Sequence, residues 1–102
     1  MALLDEEQLD RLPTIYTDDE ADPWIFYRLV LPDAGQSWYV IQGERQDDDF
    51  LLYCLITGAI TEFNYVLLSG LENMRGPEGT AVERDLTFTE GRLTDVVPAP
   101  DQ

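Results

Sequence analysis

The chain of 102 residues contains no lysine and no histidine, and only one cysteine. Each absence removes a class of chemistry. Without histidine or lysine, the commonest general base, metal ligand and Schiff-base former are missing. With Cys54 as the single thiol there is no internal disulfide and no Cys/His zinc pattern, which fits a reducing compartment. The longest apolar run, Phe50 to Ile56, is far shorter than the roughly 20 residues of a membrane helix. The start, Met1-Ala2-Leu3-Leu4-Asp5-Glu6-Glu7, lacks a basic region and turns acidic too early for a signal peptide. A soluble, cytoplasmic protein is the expectation.

Positive charge is also scarce. The basic residues are 6 arginines against 21 Asp and Glu, for a formal net charge of −15. Direct nucleic-acid binding needs a cationic face, and attraction to an anionic membrane surface needs the same, so both are excluded. What remains is ample material for a core. Hydrophobic residues make up 44% of the chain and aromatics 11%, more than a disordered acidic segment carries. The length matches one domain, residues 1–102, with a frayed tail at about 98–102.

Patterning along the chain predicts an α+β fold with a four- to five-stranded, mostly antiparallel sheet and short helices. Asp5 and Gln8 have capping-box spacing and open a helix over about 5–12 that Pro13 stops, with Leu4, Leu9 and Leu12 inward. A strand is expected over 24–31 with Ile25, Tyr27, Leu29 and Leu31 on one face. Turn chemistry at 32–35 leads to a strand over 37–42, a polar turn, a doubly apolar central strand over 50–56, and a fourth strand over 63–68. Ser69 and Glu72 have the spacing of a second capping box, and Gly76-Pro77 should close that helix. A fifth strand is expected over 82–88, with Val82, Leu86 and Phe88 inward. Arg84 shares that register and must meet a carboxylate or lie at the sheet edge. A last helical turn is expected near 92–97.

The carboxylates fall in clusters at a helix start and in loops. A domain of this size has a diameter of about 33 Å, and duplex DNA of that length carries roughly 20 phosphate charges. The net charge is comparable to that of the DNA segment such a domain could replace. The residues singled out as a partner-binding surface are Asp18, Asp19, Glu20, Asp22, Glu44, Asp47, Asp48 and Asp49. They would meet a positively charged protein, steered electrostatically and weakened by salt. The competing reading is that these charges are a solvated coat, reflecting solubility or salt adaptation.

Other chemistries are weaker in the sequence. Asp18, Glu20 and Asp22 alternate as at the opening of a calcium loop, but Pro23 and Leu29 break the pattern. No metal and no cofactor is expected. Cys54 lies in the most apolar strand, where thiols are packing. Acid–base chemistry by two carboxylates would require a cleft in which their pKa values are raised, and a non-enzymatic protein is the expectation. Among the aromatics, Trp24-Phe26-Tyr27 and Trp38-Tyr39 are read mostly as core, with one side of Trp38-Tyr39 open.

Taken together, Leu9–Tyr16, Asp22-Pro23, Ser37–Val40, Asp49–Leu51, Tyr65–Glu72 and Val82–Phe88 resemble a small acidic family, the domain of unknown function numbered twenty-nine fifty-eight. That family is frequent on plasmids, phages and other mobile elements, and it supplies no catalytic residues. The resemblance implies a setting in which small acidic proteins blunt host defences, some by mimicking DNA. The expected function is therefore an acidic binding protein of anti-restriction or anti-CRISPR type. It would occupy the nucleic-acid site of a host-defence component in a bacterial or archaeal cell or a phage-infected host. The alternative is an accessory or structural domain.

Overall fold

A computed structural model describes residues 3–15 and 21–97. Eleven residues of β3 (Gln36–Gln46) and nine of β4 (Asp49–Thr57) form the central hairpin of a five-stranded antiparallel sheet. Its strand order is β5-β4-β3-β2-β6, with β2 at Tyr27–Leu31, β5 at Glu62–Leu67 and β6 at Glu83–Arg84. β1 (Trp24–Ile25) and β7 (Gly91–Arg92) pair as a separate two-stranded sheet. The helices are α1 (Glu6–Asp10), α2 (Leu68–Asn73) and α3 (Leu93–Val96). The expected α+β architecture is what forms. The Cα radius of gyration is 13.1 Å, the value expected for this length.

Alternation in β2, β3 and β4 divides the side chains between two faces. The inner face carries Tyr27, Leu29, Leu31, Trp38, Val40, Phe50, Leu52 and Cys54, all buried beneath Leu4, Leu9 and Leu12 of the α1 region and Leu68 and Leu71 of α2. α1 forms as expected, with the Asp5–Gln8 capping box intact in both directions. Burial of each large aliphatic or aromatic side chain here contributes about 1.5–3 kcal/mol. Gly43 is required by this packing. A Cβ there would lie 2.4 Å from the Phe50 ring and 2.8 Å from a Leu12 methyl.

The outer face holds a smaller cluster, Ile25, Tyr39, Ile41 and Leu55, covered by Leu93, Val96 and Val97 at the C-terminal end. Register shifts between Val40 and Gln42, and this bulge lets Ile41 and Gln42 both serve the outer face.

Four sequence expectations are corrected. The strand expected over 24–31 breaks at Phe26, whose N–H donates to the Val40 carbonyl. Ile25 therefore joins the outer cluster, while Tyr27, Leu29 and Leu31 join the inner one. Ser69 is not the cap of α2. The helix starts at Leu68 with no side-chain cap of its own, and Glu72 instead accepts the Leu3 N–H at 3.0 Å. The fifth strand pairs only at Glu83–Arg84. The Asp85 carboxylate accepts from the Thr87 N–H at 3.0 Å and the Thr87 hydroxyl at 2.7 Å, and such a local turn competes with a ladder. Leu86, expected inside, is 79% exposed. Finally, Trp38 and Tyr39 are both buried, so that pair has no open side.

Candidate interaction surface

The acidic residues separate into those that serve the fold and those that face solvent. Asp22 belongs to the first group. Its carboxylate accepts from the N–H and the hydroxyl of Thr94, both at 2.9 Å, and so caps α3, which has no side-chain cap of its own. Asp49 does the same for α2. It accepts from the Ser69 N–H at 3.1 Å and from the Ser69 hydroxyl, a carboxylate placed favourably at a helix start. The Ser69 hydroxyl, then the Phe50 and Ser69 N–H groups, hold the Asp49 carboxyl below the usual range. Asp18, Asp19 and Glu20 lie outside the described residues.

Glu44, Asp47 and Asp48 form the second group. Asp47 and Asp48 are the two-residue loop between the paired positions Gln46 and Asp49. Asp47 has φ 54°, a left-handed geometry that two-residue hairpins need and that Asp tolerates. Glu44 follows along β3 opposite Leu51. α1 is docked beside this hairpin by the Arg45–Glu6 ion pair, by Leu12 against Gly43 and by the Gly43 N–H donated to the Pro13 carbonyl. The exposed Glu7 and Asp10 lie on this helix, on the inner-face side of the hairpin, whereas Glu44 lies on the outer-face side. Glu7, Asp10, Glu44, Asp47 and Asp48 have no ion pair or hydrogen-bonded side chain among the described residues. The structure thus brings Glu44, Asp47 and Asp48 together, and assigns Asp22 and Asp49 to capping.

Sequence reasoning passed over a second feature adjoining the tip of this hairpin. Phe63, Tyr65 and Leu67 alternate along β5 and remain 50%, 44% and 43% exposed. They lie opposite Leu55, Tyr53 and Leu51 of β4, on the outer face beyond the reach of α3. The Tyr53 ring stacks on Phe63 at 5.9 Å and packs tilted against Tyr65 at 4.9 Å between centroids. From Phe50 to Leu71 the only charged residue is Glu62. That long uncharged stretch in so acidic a chain was the available signal. Which side of it would stay uncovered was not in the sequence.

The β6 edge of the sheet carries an open cleft of about 260 Å³, between Gln8, Tyr27, Arg84 and Phe88, with Asp85 and Glu90 at its walls. Glu90 accepts both Arg11 guanidinium nitrogens, at 2.9 and 3.0 Å, and the Trp24 indole N–H at 3.0 Å. Arg28 donates to Asp85 at 2.7 Å. Arg84 lies at the sheet edge as expected, with no ion pair among the described residues. Two carboxylates thus share a cleft. However, the Thr87 hydroxyl and then Arg28 pull Asp85 below the ordinary range, and Arg11 and then Trp24 do so for Glu90. A general acid requires the opposite shift. Burial pushes the Cys54 thiol up, which keeps it protonated and inert. Among the described residues, no three Asp, Glu or Cys side chains converge as metal ligands.

The family model described as "protein of unknown function (DUF2958)" matches residues 3–98. The chain belongs to this family. No curated protein and no solved structure matches it. Among the described residues of this family member, no helix is long and apolar enough to cross a membrane.

Proposed function

We propose that this family member is a non-enzymatic acidic binding protein that docks on a cationic nucleic-acid-binding protein and occupies its nucleic-acid site. The observation that carries the reading is the β3–β4 hairpin with α1 beside it, where Glu7, Asp10, Glu44, Asp47 and Asp48 have no ion pair or hydrogen-bonded side chain among the described residues and Arg45 is the neighbouring cation. Surface carboxylates left unpaired in this way raise the local negative potential and steer a cationic partner. An anti-restriction or anti-CRISPR inhibitor on a mobile element is the specific form we favour, with action in the cytoplasm.

The test uses Glu44→Lys with Asp48→Lys, and Asp47→Asn because asparagine keeps the left-handed turn. Asp49 is left in place because reversing it would uncap α2. Partners captured at low salt are identified, and displacement of labelled duplex DNA or RNA from them is measured. The triple variant should lose at least about tenfold in displacement, and the wild type should weaken steeply with salt. Displacement that is unchanged in the variant would sink the reading.

One observation favours a second reading, an accessory domain with a solubilising coat. Glu62, Glu78, Glu83 and Asp95 are also exposed, on elements remote in sequence from the tip. A variant that binds normally but precipitates at lower concentration would support that alternative.

A further inference from the structure

We propose that Phe63 and Tyr65, backed by Tyr53 and bordered by Glu44, form a receptor for arginine side chains of the protein partner. This deepens the reading above and rests on it. The chain uses the same arrangement internally. Arg11 lies 5.5 Å from the centre of the Phe26 ring and pairs with Glu90. Arg28 lies 5.6 Å from the centre of the Tyr39 ring and pairs with Asp85. Arg45 lies 5.6 Å from the centre of the Phe50 ring and pairs with Glu6. Each of these three guanidinium groups contacts both a ring and a carboxylate, the combination that suits its flat, delocalised charge. Arg92 adds a fourth ring contact, over Trp24 at 5.6 Å.

No guanidinium of the described residues lies over Phe63 or Tyr65. Both residues are about half exposed, and Tyr53 packs against both rings, stacked on Phe63 and tilted against Tyr65. Glu44 supplies the third element. Gln42, Tyr53 and Tyr65 form one row across β3, β4 and β5, and Glu44, Leu51 and Leu67 form the next row on the same face. Glu44 is therefore a diagonal neighbour of Tyr53, a separation of about 7–8 Å. Its carboxylate has no partner among the described residues.

The surroundings select the occupant by charge. Exposed aromatic rows also serve as base-stacking platforms in single-strand binders, but those rows lie in cationic grooves. Here the net charge of −15 repels phosphate and attracts a guanidinium. Lysine would feel the same field without the stacking. An arginine-bearing protein segment is the one occupant that satisfies both ring and carboxylate.

The full chain is titrated with two peptides of matched length and charge, one of arginine and glycine and the other of lysine and glycine. The arginine peptide should bind about tenfold more tightly and shift the ring resonances of Phe63 and Tyr65. The double variant F63S/Y65S, whose side chains are outside the core, should bind both peptides at the lysine level. E44Q should weaken the arginine peptide while leaving the fold unchanged by circular dichroism. Equal affinity for the two peptides, lost only when the tip carboxylates are reversed, would overturn the arginine receptor and leave the acidic docking surface standing. No binding of either peptide at low salt would overturn both. Self-association of the free chain that disappears in F63S/Y65S would assign the face to a second copy and overturn the proposal.

Discussion

The inner face of the five-stranded sheet is closed by apolar packing, whereas the outer face is closed over one half and open over the other. On the inner face, α1, α2 and the residues before α1 lay Leu4, Leu9, Leu12, Leu68 and Leu71 over Trp38 and its neighbours. The covered half of the outer face is smaller and is tied down by polar contacts. Arg28 reaches Asp85, the Tyr39 hydroxyl and the Ser37 hydroxyl, and Asp22 caps α3. The open half, over β4 and β5, keeps its aromatic side chains in solvent. Near the covered half, Asp85 is held by Arg28 and Asp22 by the start of α3, while Asp95 of α3 is exposed. Beside the open half, Glu44, Asp47 and Asp48 have no partner among the described residues. A surface that is both apolar and bordered by unused charge is what a recognition site requires.

The comparison is broken most directly from the inside. Trp38→Ala removes the largest fully buried side chain of the inner face and should cost about 3–5 kcal/mol, read from urea unfolding. A cost below about 1 kcal/mol would mean that the inner face does not hold the sheet.

The polar half of the outer face should show itself as acid sensitivity. Asp85 and Glu90 have native pKa values lowered from the ordinary carboxylate value near 4. A lowered native pKa stabilises the fold above the unfolded pKa, and that contribution is lost as pH falls through the native value. The urea midpoint should therefore drop as pH falls below the unfolded carboxylate value near 4. Asp85→Asn should lower the midpoint at pH 7 and flatten the drop. An Asp85→Asn variant with the wild-type acid profile would remove the distinction between the two halves.

The smallest effect is expected on the open half. Phe63→Ser and Tyr65→Ser should each change stability by less than about 0.5 kcal/mol, as exposed positions do, while changing binding. A large loss of stability at either residue would make β5 part of the core.

Much of the sheet was legible because period-two alternation survives wherever one face is buried. β3 and β4 lie where the pattern put them, although Gln36–Gln46 runs longer than the segment expected from 37–42. The Asp5–Gln8 cap was legible because both partners sit within one turn of helix. Capping from a distance was not. Asp49 reaches Ser69 across 20 positions and Asp22 reaches Thr94 across 72, and no local spacing reports such a bond. For the same reason, two of the eight carboxylates read as a binding surface became structural. The aromatic row was missed because alternation identifies the side chains that share a face, without saying whether anything covers that face.

The sequence by itself determined the charge, the strand periodicity and the absence of imidazole, lysine and internal-disulfide chemistry, since these follow from composition and local spacing. The tertiary structure decided which carboxylates are taken up by helix starts and arginines and which have no partner among the described residues. It also decided that the last helix covers Tyr39 and Leu55 and stops short of Phe63 and Tyr65. Those outcomes depend on contacts between residues far apart in the chain, and only the folded arrangement of strands brings them together or leaves them apart.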